Sequence, residues 1–522
     1  MRRPTYLKLV LKNAIVEDRP AGMFYPKGQA DLLTLLRTLD AATRSRSVQD
    51  LILIIKDVAI GWAQIEEIHA ELERFHQAGK RTIAFVEHAD NRTYYLACGA
   101  QRVYLPPSGS LDLVGLRAEI FFFRNLLEYL GVQPELFSFG EYKSAGEMFY
   151  RDQMSDASRR MTASLLTDLQ QRLTAKVATC RKTTSEQVQV WIDNGPYSAR
   201  QAAQQGMVDG LLYEDELEKL VQKDSPQVVE CSVGSLLPHE GFLRRLMTFY
   251  RPQIALIVAE GLITTGESRA RGRARPLIGA ETVVGLLRAA RKSRRVRAVL
   301  LRVNSPGGSG LASDLIWREV KVTNEAKPVI ISFGNVAASG GYYLAVGGRR
   351  IVSMPAALTG SIGVIGGKFS LKKMLDQIGV TVDHVETGTH AGYSSVARPF
   401  SETEQEIMKE QTRDFYEGLF LKKVAEGRKR SVDEIRQIAE GRVWTGAQAL
   451  DNGLVDEAGG LRRALEVARQ EAGLSVDQKI RLRRFARRRR LLDLLPIPLF
   501  PASDLRLFDG PLALMTEDLE IR

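Results

Sequence analysis

The sequence predicts an α/β protein made of two tandem copies of one βαβ-rich fold, each a largely parallel sheet covered by helices. Three observations predict it. The chain has 522 residues, too many for one hydrophobic core. Tyr94-Tyr95-Leu96-Ala97 recurs as Tyr342-Tyr343-Leu344-Ala345, an offset of 342 − 94 = 248 residues, which is domain-sized rather than a solenoid repeat. Short apolar runs alternate with segments of helical spacing, the pattern of strands joined by helical crossovers.

The offset extends well beyond the tyrosines. It pairs Asn13 with Gly261, Ala41-Ala42 with Ala289-Ala290, Val48 with Val296 and Phe85 with Phe333. It also pairs Pro107 with Pro355, Gly115 with Gly363 and Gly131-Val132 with Gly379-Val380. In the first copy, residues 6–11, 51–55 and 82–86 read as buried strands, and 32–42 and 63–75 as helices. In the second copy, 253–259, 298–303, 329–333 and 351–352 read as strands, and 281–290 and 311–322 as helices. Asn304-Ser305-Pro306-Gly307-Gly308-Ser309 reads as a loop by its Pro and Gly content, and Thr359-Gly360-Ser361-Ile362-Gly363 as a tight turn. Long helical stretches follow at 154–179 and 402–426. Each copy ends on a related motif, closing on Gly206-Met207-Val208-Asp209 and on Gly453-Leu454-Val455-Asp456, with the register now 456 − 209 = 247. The division that results is a first domain at 1–215, a linker at 216–251, a second domain at 252–473 and a basic, apolar tail at 474–522.

Three cysteines, an odd number without metal-ligand spacing, predict a reducing compartment and no disulfide framework. No metal or organic cofactor is expected. No apolar run is long enough for a signal peptide or a spanning helix, so a cytoplasmic protein is expected. The net charge of +11 comes largely from Arg269, Arg271, Arg273 and Arg275, and from Arg481, Arg483, Arg484 and Arg487 to Arg490. The second cluster lacks the interleaved aromatics of a single-strand binder, so nucleic acid is not an expected partner. The apolar run from Leu491 to Phe500 follows it directly, which suits peripheral contact with an anionic membrane such as the inner membrane.

Ala337-Ala338-Ser339-Gly340-Gly341-Tyr342 lies between a strand and a helix. A serine there points its hydroxyl outward near unpaired backbone N–H groups, and an ordinary Gly-rich packing turn explains the stretch equally well. The 304–309 loop offers amides to an oxyanion, where losing one donor costs about 2.7–4 kcal/mol of transition-state stabilisation. Its first-copy partner, Lys56-Asp57-Val58-Ala59-Ile60-Gly61, has lost the Pro-Gly-Gly run, which argues against a packing role alone. None of the six histidines (His69, His76, His88, His239, His384 and His390) lies in either segment. His390 is the nearest to a classical base. A lysine base must be neutral, so its amine must fall from about 10.4 to about 7–8. Lys143 sits among Phe139, Tyr142, Met148 and Phe149, with Glu141 and Glu147 opposing deprotonation wherever they approach the amine. Across the 248 register, Ser339 faces Asn91 and Lys143 faces Ala391.

At these residues the sequence resembles the signal peptide peptidase A (protease IV) family in its long two-domain form. The resemblance rests on Arg302 to Ser309, Ala337 to Tyr342, Thr359 to Gly363, Val443-Trp444-Thr445-Gly446 and Tyr142-Lys143-Ser144-Ala145. It implies two tandem Clp protease/crotonase-like domains and a serine endopeptidase with a Ser-Lys dyad formed across them, neither domain being active alone. Ser339 would be the nucleophile, Lys143 the general base, Ser361 the residue orienting the lysine, and amides around Gly308 and Gly340 the oxyanion hole. It further implies hydrophobic peptide substrates such as signal-peptide remnants, and a homotetramer. Two other readings of the same fold stand beside it: a crotonase-type acyl-CoA enzyme and a non-catalytic scaffold.

Overall fold

The computed structural model describes residues 5–18, 31–224, 229–237, 251–268, 276–486, 512–514 and 520–521. The chain forms two compact units, one of residues 1–117, 166–250 and 521–522, the other of 118–165 and 251–520. These units are not the sequence repeats: the stretch 118–165, which carries Lys143, belongs with the second unit.

In the first unit six strands lie in the order Gly210–Leu211, Arg102–Leu105, Arg81–Val86, Val48–Ala59, Thr5–Ala14 and Val229–Cys231, all parallel. The central strand reads Leu-Ile-Leu-Ile-Ile over 51–55, and all five residues are buried, as expected where helices cover both faces of a sheet. The stretch read as a linker opens with the helix Glu214–Asp224, and Val229–Cys231 then extends this sheet.

In the second unit the corresponding sheet runs Val443–Thr445, Leu358–Gly360, Val329–Ala338, Val296–Ser305, Gln253–Glu260 and Arg481–Arg484. Its core is built around Leu301, Phe333, Trp317, Tyr342 and Tyr343. Part of the tail expected from Leu474 onward is therefore sheet: Arg481–Arg484 is the edge strand beside Gln253–Glu260. Arg269 to Arg275, Arg487 to Arg490 and Leu491 to Phe500 lie outside the described residues. The stretch 402–426 is helical throughout, passing from Glu402–Arg413 through a π-helical segment, Asp414–Leu421, into Lys422–Arg428.

The repeated residues have repeated jobs. The Tyr94 hydroxyl donates to the Met207 carbonyl at 2.5 Å, and the Tyr342 hydroxyl to Leu454 at 2.8 Å. Asp209 accepts from the Val103 amide and Asp456 from the Ile351 amide, each at 2.7 Å. Lys80 donates to the carbonyls of Ala42 and Ser45, as Lys327 does to Ala290 and Ser293. Each lysine satisfies carbonyls that a helix end leaves open.

A third sheet, in the second unit, positions the site. Its order is Leu277–Gly279, Leu262–Thr264, Gly307–Ser309, Leu512–Leu514, Val364–Ser370 and Gln133–Phe139. Gln133–Phe139 runs antiparallel to Val364–Ser370, with Phe139 opposite Val364. That register brings the residues just after Phe139 beside those just before Val364. Lys143 and Ser361 are thereby neighbours.

Candidate active site

Ser339 follows the buried strand Val329–Ala338 and precedes the helix Gly340–Ala345. The strand outruns the predicted 329–333 because Val336, Ala337 and Ala338 pair with Leu358–Gly360. Ser339 adopts φ 53° and ψ −116°, a conformation that costs a non-glycine residue on the order of 1–3 kcal/mol. Its backbone is pinned from both sides: its amide donates to the Gly360 carbonyl at 2.8 Å, and its carbonyl accepts from the Tyr343 amide at 2.8 Å. Gly341 has a packing reason as well, since a Cβ there would lie 2.8 Å from the Ser305 carbonyl oxygen.

Lys143 Nζ lies 2.7 Å from Ser339 Oγ, 3.1 Å from Ser361 Oγ and 3.2 Å from the Ser361 carbonyl oxygen. All three residues are buried, Ser339 completely. Burial alone pushes the Lys143 amine well below its ordinary range, because a low-dielectric site disfavours the ammonium. The two neighbouring carboxylates are engaged elsewhere: Glu141 accepts from Arg160, and Glu147 accepts from the Ser155 amide. His390 instead pairs with Glu404 at 3.5 Å, and His239 lies outside the described residues.

The lysine loop is held by a segment that the motifs only grazed. Glu440, at φ 50°, offers its carbonyl to the Tyr142 amide at 2.6 Å and its carboxylate to the Glu141 amide at 3.2 Å. Gly441, at φ +77°, passes so close that a Cβ would lie 2.5 Å from Lys143 N. Its amide donates to the Ile362 carbonyl, while the Ser361 amide donates to Arg442. The 440–442 turn thus ties both lysine-contacting segments together. Its sequence signal was a glycine one residue upstream of Arg442-Val443-Trp444, too little to read alone.

The Pro-Gly-Gly segment is less open than a loop. Gly307–Ser309 forms a short strand whose Gly308 pairs with Ile263, and Gly308, at φ +144°, would place a Cβ 2.1 Å from the Ile263 oxygen. This strand packs against the helix Gly340–Ala345, so Gly308 and Gly340 lie on neighbouring elements. In the first unit Asn91, the counterpart of Ser339, is structural: its Nδ2 donates to the Gly115 carbonyl at 2.9 Å and its Oδ1 accepts from the Val114 amide at 3.2 Å.

The peptidase family S49 model matches residues 74–227 and 321–475, the first stretch containing Lys143 and the second Ser339 and Ser361. The chain belongs to peptidase family S49. A chloroplastic serine protease SPPA of Arabidopsis thaliana is 34% identical over 82% of this S49 chain, which spans 64% of that relative. Protease 4 of Salmonella typhi is 32% identical over 85% of the chain and 72% of its own length. Among solved structures, ClpP1 from Listeria monocytogenes aligns 99% of its chain to 43% of this one, at 18% identity and a TM-score of 0.26. No helix among the described residues is long and apolar enough to cross a membrane.

Proposed function

We propose that this S49 serine peptidase hydrolyses hydrophobic peptides through a dyad of Ser339 and Lys143. The observation that carries the reading is the 2.7 Å approach of Lys143 Nζ to Ser339 Oγ in a buried setting. A neutral amine has one lone pair and two N–H groups. The lone pair accepts the Ser339 proton while the two N–H groups donate to the Ser361 carbonyl and Oγ, which fixes the direction of the lone pair. Oγ then attacks the peptide carbonyl and Lys143 becomes an ammonium, held by the same Ser361 oxygens. Amides around Gly308 and Gly340 receive the oxyanion. Collapse passes the lysine proton to the leaving amine and leaves an acyl-enzyme. Water, activated by the neutral Lys143, then releases the acid and restores Ser339.

The test is labelling by a serine-reactive fluorophosphonate, together with hydrolysis of an apolar reporter peptide. Wild type labels and turns over; Ser339→Ala does neither. Activity surviving both Ser339→Ala and Lys143→Ala removes the dyad, and an inert, folded wild type favours a scaffold.

The resemblance to the long signal peptide peptidases supports a homotetramer acting on signal-peptide remnants, which light scattering and such peptides would check. Peripheral membrane contact rests on Arg487 to Arg490 and the apolar run after them. Flotation with anionic vesicles tests it: equal behaviour of wild type and a variant with those four arginines replaced by serine removes the idea.

A further inference from the structure

Within the first unit two helix ends bring Cys98 and Cys180 together. Cys98 caps the helix Asn91–Ala97, and Cys180 sits in the last turn of Asp156–Arg181. The buried Cys98 thiol donates a hydrogen bond to the half-buried Cys180 Sγ. Arg181 Nη2 donates to the same sulfur at 3.1 Å, while its Nη1 donates to Asp209 at 2.8 Å. The proton of Cys180, when present, faces the Ala100 carbonyl at 3.9 Å, a weak contact. The second repeat shows which of these groups the fold needs. Arg428 and Asp456 stand where Arg181 and Asp209 do, at 428 − 181 = 456 − 209 = 247, and they pair at 2.6 Å. The sulfurs have no counterpart: the same register puts Gly427 at Cys180, and the 248 register puts Val346 at Cys98. A Cβ on Gly427 would lie 3.0 Å from that of Val346. The junction thus brings these two positions to about the Cβ separation of a disulfide, ~3.5–4.5 Å.

We propose that Cys98 and Cys180 form a redox-modification site, a dithiol that a hydroperoxide converts to an intramolecular disulfide, with Cys180 attacking and Cys98 resolving. The hydrogen bond from Cys98 and the charge of Arg181 pull the Cys180 thiol down to about 6, whereas burial pushes Cys98 up. Cys180 is therefore the thiolate near neutral pH. Exposure assigns the same roles, since a small oxidant reaches the half-buried sulfur before the buried one. Cys180 Sγ attacks a peroxide oxygen, the O–O bond breaks, and the departing hydroxide is protonated to water, leaving a sulfenic acid. Cys98 Sγ then attacks Cys180 Sγ and the S–O bond breaks. The Cys98 proton leaves with the displaced hydroxide as a second water. Two thiols lose two electrons, and the peroxide becomes two waters. A dithiol reductant reverses the bond by exchange.

The test treats the reduced full-length chain with hydrogen peroxide, blocks the remaining thiols with iodoacetamide and maps the peptides by mass spectrometry. Cys231, a half-buried thiol outside the pair, is the internal reference. We expect Cys98 and Cys180 to disappear together as one cross-linked species, about tenfold faster than Cys231 is oxidised, and dithiothreitol to restore both. Cys98→Ala should instead leave Cys180 as a sulfenic acid that dimedone captures. Recovery of Cys98 and Cys180 as free thiols once Cys231 is oxidised overturns the proposal. So does a Cys180 sulfenic acid that persists in the wild type without a cross-link. Ser339 takes no part in these readouts, so they are independent of the peptidase reading.

Discussion

A Cβ on Gly441 would lie 2.5 Å from the amide nitrogen of Lys143 and 2.7 Å from its Cα. The closeness of these two residues, almost 300 apart in sequence, sets where the lysine stem begins. Gly441→Ala therefore has two faults, a left-handed φ and a backbone collision, and Lys143 is what must move. We expect a loss of about 1–3 kcal/mol in stability and a fall in kcat well beyond it. Gly379→Ala is the control, because Gly379 has φ +75° with nothing within 4 Å of the added Cβ. It should lose only the conformational part and keep full activity. Urea titration and steady-state assays of the two variants distinguish them; equal activities would show that the turn does not place the lysine.

Much of the architecture was legible because duplication writes the same demand twice. Tyr94 and Tyr342 recur because each hydroxyl must reach the carbonyl of the closing motif. The alternation of apolar runs and helical spacing is enforced by burial on both faces of the sheets. The placement of 118–165 in the second unit was not legible, since it depends on Gln133–Phe139 pairing with Val364–Ser370 some 230 residues away. Nothing in local periodicity encodes such a partner. Glu440 and Gly441 were missed for the same reason, and the Pro-Gly-Gly loop read as open because the pairing of Gly308 with Ile263 is likewise non-local.

Burial of Lys143 should cost the fold stability on the acid side of the amine's ordinary range. Desolvation lowers the amine well below its ordinary 10.5 in the folded chain, whereas the unfolded chain keeps the ordinary value. The unfolded state thus holds more protons between the lowered folded value and about 10.5, so stability rises with pH across that window. Lys143→Met keeps the bulk of the side chain and removes the ionisable group. It should unfold at a higher temperature than wild type near neutral pH, the difference shrinking as pH climbs toward 10.5. Calorimetry at several pH values checks this, and a Tm below wild type throughout would contradict it.

The lowered amine also sets a pH dependence for the proposed dyad. Only the unprotonated amine accepts the Ser339 proton, so kcat/KM should fall as pH drops through the lowered Lys143 value and level off above it. Lys143→Ala should lose about 10²–10⁴-fold and show no such limb. A wild-type profile that is flat through the acid side, in protein shown to remain folded, would remove Lys143 as the base.

Ser361 contributes Oγ at 3.1 Å and a carbonyl oxygen at 3.2 Å from Lys143 Nζ. Ser361→Ala deletes only the first. Acceptors favour an ammonium over a neutral amine, so their loss lowers the lysine further. The acid limb of kcat/KM should therefore move to lower pH while kcat falls, because the lone pair is less well aimed. A purely structural role would lower kcat with the limb unmoved, which makes the pH profile the deciding measurement.

Restoring serine to the first copy should not create a second site. Asn91→Ser would put a hydroxyl where Ser339 stands in the other repeat, but Asn91 Nδ2 and Oδ1 hold the Gly115 carbonyl and the Val114 amide. Serine is too short to keep both bonds, and losing a partly buried hydrogen bond costs about 0.5–1.5 kcal/mol. The register offers no base either, since Ala391 stands opposite Lys143. In a Ser339→Ala background, Asn91→Ser should therefore be less stable and still inert to fluorophosphonate. Labelling at residue 91 would mean that the first copy needs only its nucleophile back, and that the lysine of the second unit is not what limits it.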